Sequence, residues 1–369
     1  MMNFPLPQFP RPSTRTTRAD VAQQYGIDPV YLMSYNESPL GPSPKVMAAI
    51  RETAVSIGSY PTMGDEILRE ALADTWGRGL TPDHFFTGCS GYEAIELTAR
   101  AILQTGNEMI IAPPTFSSAY RKIAALQGAE TVEVPLRQPD FTPDVDAILA
   151  AITDRTRIIL LCNPNNPTGT IMPTTDFDRL LDRLPDHVLL VADEVYHHFV
   201  TSDDYPDSVP HILADRPLIS IQSFSKAYGM AGLRLGYAIA PPRIANAIGG
   251  VHRGFHQSRI ALAAGVAALA DQDHLQKNVK SVLAGKAWLY EQFERLGLSY
   301  IPSQTNFVVV RLPLDGTAAA KALLPYGVMV KPLKEPGLEN SVRVSVSVPE
   351  GNHQFIRALE TIFKNKQIL

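Results

Sequence analysis

Short apolar runs alternate with helical stretches from about residue 45 to residue 240. The runs fall at 85–88, 109–112, 131–134, 158–162, 188–193 and 218–222. Runs of that length are too short for buried helices of their own and read as strands. Their alternation with helical periodicity predicts an α/β fold: a mainly parallel sheet covered by helices on both faces. A further run at 236–240 supplies a seventh strand. Beyond a long helical region, strand-like runs at 306–311, 328–331 and 342–346 predict a smaller α+β domain. The expected organisation is an arm and opening segment at 1–44 that joins the small domain, a large domain at 45–250 and a small C-terminal domain at 251–369. A substrate site belongs between the two domains. The chain shows no internal repeat or low-complexity linker.

Chemistry gathers where the strand-like runs end. Run 218–222 leads into Ser223, Ser225, Lys226, Gly229, Gly232, Arg234 and Gly236. Two hydroxyls, an amine and a guanidinium around a glycine-rich turn suit a phosphate ester beside a lysine that bonds an aldehyde. Pyridoxal 5'-phosphate (PLP) has both features, and a lysine Schiff base is how proteins hold it. A solvated lysine after a strand is the plain alternative. Run 188–193 ends in Asp193, with Tyr196 three residues on. An acid at the carboxyl end of a parallel strand faces the crevice where open α/β sheets bind ligands. Such a carboxylate can keep a pyridine nitrogen protonated; a helix cap is the alternative role. Run 158–162 enters Asn163-Pro164-Asn165-Asn166-Pro167-Thr168-Gly169, a turn stiff enough to aim one side chain, with Asn166 the candidate. Run 85–88 leads through Ser90 into Gly91 and Tyr92, where Ile95, Ala99 and Ile102 begin a helical stripe. The amides of Gly91 and Tyr92 would open that helix, a favourable place for an anion.

Together these segments resemble the fold type I PLP-dependent aminotransferases of classes I and II. The resemblance extends over nearly the whole chain, and the most similar subgroup is the histidinol-phosphate aminotransferases. Asn36-Glu37-Ser38-Pro39-Leu40-Gly41-Pro42-Ser43-Pro44, Tyr60-Pro61, Pro114-Thr115-Phe116 and the stretch 340–346 around Arg343 match further segments of that subgroup. The resemblance implies a large domain with a mainly parallel seven-stranded sheet whose last strand, 236–240, runs antiparallel. It also implies roles. Lys226 would bind the cofactor covalently and then shuttle a proton. Asp193 would pair with the pyridine nitrogen, and Tyr196 and Asn166 would bond the ring oxygen. Phe116 would stack on the ring. Ser223, Ser225, Arg234, Gly91 and Tyr92 would grip the phosphate, joined by Tyr60 from the other subunit of a homodimer. Arg343 would bind the substrate α-carboxylate. The implied reaction moves an amino group between a small-molecule donor, an L-amino acid or histidinol phosphate, and a 2-oxo acid such as 2-oxoglutarate. Decarboxylation or elimination on the same scaffold uses the same residues and stays open as an alternative. A regulator that binds without turnover would need a DNA-binding module, for which no N-terminal stretch is long enough.

Several positions depart from the subgroup. Ser38 replaces an asparagine or tyrosine, and Tyr92 stands where aspartate is usual. Lys331 replaces an arginine that would read a substrate phosphate; it keeps the charge and loses the bidentate fork. Stretch 251–259 brings Arg253, His256 and Arg259, which could read an acidic group or simply face solvent.

Composition narrows the setting. At 369 residues, 45% hydrophobic and 19% charged, the chain is a globular enzyme of about two domains. A net charge of -4 provides no footprint for nucleic acid. The longest apolar run, 260–270, is too short to span a membrane, and no signal-peptide region follows Met1. The stretch from Phe4 to Arg18, rich in proline and threonine, shares a bias with transit peptides and is expected to be an extended arm. Cys89 and Cys162 have no CxxC spacing, which fits a reducing, cytoplasmic setting, and Cys89 reads as a small buried residue. His197 and His198 are adjacent, so they should point apart, and no metal site is expected.

Overall fold

The computed structural model describes residues 16–61, 64–252 and 254–365. Twelve strands form two sheets: β1 (Tyr31–Met33), β2 (Phe85–Gly88), β3 (Glu108–Ile111), β4 (Glu130–Glu133), β5 (Thr156–Cys162), β6 (Leu189–Asp193), β7 (Leu218–Ser223), β8 (Gly236–Ile239), β9 (Tyr300–Ile301), β10 (Phe307–Arg311), β11 (Val328–Pro332) and β12 (Ser341–Ser345). The seven-stranded sheet has the order β2-β8-β7-β6-β5-β3-β4. Only β8 runs against the rest, as the resemblance implied.

Its central strands β5 and β6 are largely apolar on both faces because helices cover both. Ile159, Leu161, Leu190 and Ala192 point to one side, and Ile158, Leu160, Leu189 and Val191 to the other. Burying each of the Ile, Leu and Val side chains contributes about 1.5–3 kcal/mol. This period of two turns a uniformly apolar run into two cores.

The strand order positions the site. Chain progress reverses between β3 and β5, the kind of switch point where open α/β sheets leave a ligand crevice. The carboxyl ends of β5, β6 and β7 lie side by side, with Cys162 opposite Asp193 and Asp193 opposite Ile221. The candidate residues after those strands are therefore neighbours in space.

The five-stranded sheet has the order β1-β11-β12-β10-β9. The sequence pattern had revealed β10, β11 and β12 but neither β1 nor β9. Strand β1, from the opening segment, pairs in parallel with β11 across nearly the whole chain. The helix Arg259–Leu269 follows residue 250 yet packs on the helices Pro44–Ala54 and Glu66–Trp76. Among the described residues, no helix is long and apolar enough to cross a membrane. The arm at 1–15 and Arg253 lie outside the described residues.

Two local expectations are corrected. The rings of His197 and His198 do not point apart; a 3-10 turn, His197–Phe199, brings their centroids within 3.7 Å. Cys89 is partly exposed rather than buried, and its thiol donates to the His256 carbonyl at 3.2 Å.

Candidate active site

Lys226 sits on the loop after β7. Its Nζ donates to the backbone oxygens of Asn36 at 3.2 Å and Tyr35 at 3.3 Å, and lies 5.6 Å from the centre of the Tyr196 ring. Burial first, and then the positive charge of Arg343, bring the amine down to about 8. Close approach of the loop to the opening segment requires a glycine. A Cβ on Gly229, whose φ is +70°, would meet the Gly41 carbonyl oxygen at 2.3 Å.

Asp193 ends β6 and is buried. Its Oδ2 accepts a hydrogen bond from the Tyr120 hydroxyl at 2.6 Å, while Oδ1 has no partner. Burial raises its pKa, opposed by the Tyr120 bond, by the Val195 amide and by Lys226. A buried carboxylate oxygen without a donor costs free energy, so this site calls for one.

Arg343 lies on β12 in the small sheet, buried. It donates through Nη1 to Asn166 Oδ1 and through Nη2 to the Ser34 carbonyl at 2.7 Å. Its Nε has no partner, and its guanidinium carbon stands 5.1 Å from the Phe307 ring centre. Burial lowers its pKa. The bond to Arg343 also fixes the Asn166 amide: Oδ1 is occupied, so the Nδ2 donor is left for another acceptor.

A cup forms around the loop after β7. Ser223 and Ser225 are buried, and the Ser225 amide donates to Ser223 Oγ at 3.1 Å. The helix Gly91–Ile102 begins beside them, capped by Ser90, whose Oγ accepts from the Glu93 amide. Gly236 lets the strand end meet that helix start: a Cβ there would lie 2.2 Å from the Gly91 nitrogen. Arg234, exposed, donates to the Ala231 carbonyl at 2.9 Å and completes the rim.

The remaining candidates are more peripheral. Phe116 is 43% exposed and meets Tyr120 edge to face at 5.9 Å. Tyr60 is 75% exposed and packs on Phe255, with rings 4.9 Å apart. Arg259 donates to the carbonyls of Ser59 and Tyr60, which explains its charge without a substrate. Ser38 accepts from Asn278, which also donates to the Ala227 carbonyl. Lys331 is exposed on β11 directly opposite Arg343 on β12.

Sequence reading missed Tyr120 and Glu194. Tyr120 lies four residues after Phe116, so helical spacing could have placed both over the same strand ends. Glu194 turns away from the crevice. Ser208 Oγ donates to it at 2.6 Å, Ser220 Oγ also donates, and burial raises its carboxyl to about 7.

The residues present fit a phosphorylated pyridine aldehyde. An amine near 8 faces the crevice, an orphaned acceptor closes its floor, and amides and hydroxyls line an anion cup. Comparison with known proteins points the same way. The profile of aminotransferase class I and II matches residues 28–359. The histidinol-phosphate aminotransferase of Moorella thermoacetica is 38% identical, over 93% of this chain and 88% of its own. That of Geobacillus thermodenitrificans is also 38% identical, over 95% and 94%. Among solved structures, the histidinol-phosphate aminotransferase of Sinorhizobium meliloti in complex with pyridoxal-5'-phosphate superposes with a TM-score of 0.85. It is 28% identical and covers 96% of both chains. The aspartate aminotransferase of Thermus thermophilus with maleate gives a TM-score of 0.79, at 25% identity, covering 95% of this chain and 97% of its own.

Proposed function

The chain belongs to the class I and II aminotransferases, and from that premise we propose that it moves an amino group between histidinol phosphate and a 2-oxo acid such as 2-oxoglutarate. The observation that carries this reading is the convergence of the Lys226 amine, the unpartnered Asp193 oxygen and the Arg343 guanidinium from two different sheets.

PLP, when bound, supplies an electron sink that allows a bond at the substrate α-carbon to break. The protein's own groups do the rest. Lys226 would hold the cofactor covalently, and its amine, once free, would take the α-proton as a general base. An amine near 8 is suited to that task near neutral pH. Asp193 Oδ1 would accept from the ring nitrogen, and the Asn166 amide and Tyr196 hydroxyl would donate to the ring oxygen. Phe116 would cover one ring face. Ser223, Ser225, Arg234 and the amides of Gly91 and Tyr92 bind the phosphate. The Arg343 fork, with Nε unpaired, binds the α-carboxylate of the amino acid or 2-oxo acid. Histidinol phosphate carries a phosphate ester instead, and Lys331, across the strand pair from Arg343, supplies a charge for it. Ser38, held by Asn278, would face the substrate.

A homodimer follows from the same reading. Val55, Ile57, Tyr60 and Phe255 are all exposed, and a second copy would cover them while Tyr60 reaches the neighbouring phosphate cup. Two unpaired thiols fit a cytoplasmic location.

The test is a single-turnover half-reaction. Enzyme with bound PLP is mixed in turn with histidinol phosphate, phenylalanine, glutamate and aspartate, and the visible band is followed. Fast loss with histidinol phosphate and glutamate supports the reading. Loss with phenylalanine but not histidinol phosphate reassigns the donor, and no loss with any overturns transamination.

A further inference from the structure

Asn36 is buried at 2% exposure in a left-handed backbone conformation, φ 56°, on the segment that crosses from β1 to the helix Pro44–Ala54. A residue other than glycine rarely adopts that conformation, though asparagine does so more readily than most. Five hydrogen bonds converge on it. Its amide N–H donates to Ser345 Oγ at 2.9 Å, and Ser345 Oγ donates back to Oδ1 at 2.9 Å. Its carbonyl accepts from Lys226 Nζ at 3.2 Å and from Asn306 Nδ2 at 3.0 Å. Its Nδ2 donates to the Tyr196 hydroxyl oxygen at 3.1 Å.

The donor pattern fixes the amide. Ser345 is buried, and among the described residues its Oγ proton has no acceptor other than Oδ1, so the proton goes there. That makes Oδ1 the acceptor, and Nδ2 must face Tyr196. The Tyr196 oxygen is then occupied as an acceptor from that side, and its own proton is left to donate into the crevice. A hydroxyl that accepts a hydrogen bond is also a stronger donor. We propose that Asn36 is a positioning residue that acts through Tyr196: it aims and strengthens the hydroxyl that donates to the cofactor ring oxygen, and it couples that hydroxyl to β12 through Ser345. This rests on the cofactor reading above.

The experiment is a pH titration of the visible absorbance of bound PLP, in the absence of substrate. Asn36→Gly suits it because glycine keeps the left-handed backbone and the carbonyl contacts of Lys226 and Asn306, and removes only the side chain. A weaker donor stabilises the anionic ring oxygen less, so the lysine–cofactor adduct keeps its proton to higher pH. The expected shift in Asn36→Gly is upward by about half a pH unit. Tyr196→Phe shifts it further in the same direction, and adding Asn36→Gly to Tyr196→Phe changes nothing more. Ser345→Ala, which unpins the amide, gives a smaller upward shift and serves if the glycine variant fails to fold. An unmoved titration in both Asn36→Gly and Ser345→Ala, beside a shifted Tyr196→Phe, overturns the proposal alone. So does an Asn36→Gly shift that persists undiminished on Tyr196→Phe. Wild-type protein that acquires no visible band with PLP overturns the cofactor reading itself, and the proposal with it.

Discussion

Lys226 shows how far single residues carry the chemistry. Its amine is brought to about 8 by burial and by Arg343, so the neutral nucleophile becomes abundant as pH rises through that value. Uptake of PLP by cofactor-free protein should therefore accelerate between about pH 7 and 9, as followed by stopped-flow absorbance, and Lys226→Ala should take up none covalently. Tyr120 acts one step removed. Its bond opposes the effect of burial on Asp193, so Tyr120→Phe should raise the Asp193 pKa further and favour its neutral form. The loss of one bond to a charged group predicts a PLP affinity weaker by roughly tenfold, measurable by equilibrium dialysis. Lys331→Ala should slow the half-reaction with histidinol phosphate far more than that with glutamate. Equal slowing of the two would show that Lys331 does not read phosphate.

Strands and turns place these residues, and some support them from behind. Glu194 follows β6 and holds Ser208 and Ser220, on the chain leading into β7 and on β7 itself. Its carboxyl sits near 7 in the folded protein against an ordinary 4.5. The folded state thus binds the proton more tightly. The stability that this protonation contributes is fully present below about 4.5 and is lost as pH rises through about 7. Glu194→Gln should remove about 3 kcal/mol of that pH dependence, read from urea midpoints at pH 4.5 and pH 7.5. A slope unchanged by the substitution would assign the dependence to another group. The strand runs themselves were plain in the sequence, because β5 and β6 are mostly apolar and buried, and buried β7 carries Leu218, Ile219 and Ile221. Strands β1 and β9 were not. They are only three and two residues long, and β1 forms only because β11 offers it an edge.

At the scale of the whole molecule, the proposed homodimer would cover Val55, Ile57, Tyr60 and Phe255, all exposed, with the Tyr60 and Phe255 rings packed 4.9 Å apart. Phe255→Glu places a charge against the Tyr60 ring. The proposed dimer predicts that this variant sediments as a monomer and binds PLP more weakly, because Tyr60 would no longer reach the neighbouring cup. A variant that remains dimeric would mean that the dimer forms through another face.

The local chemistry was set by the sequence alone. Lys226, Asp193, Tyr196, Asn166 and the serines follow apolar runs, and the carboxyl ends of the parallel strands β5, β6 and β7 lie side by side facing the crevice. Residue type and spacing therefore announced both the cofactor class and the floor of the site. The tertiary structure decided what local pattern cannot encode. Arg343 meets Asn166 across 177 positions, Ser345 meets Asn36 across 309, and Tyr120 meets Asp193 across 73. Those contacts depend on strand order and on how two sheets face each other. Neither leaves a periodic trace in the chain, so the partners that tune each functional group became visible only once the fold had closed.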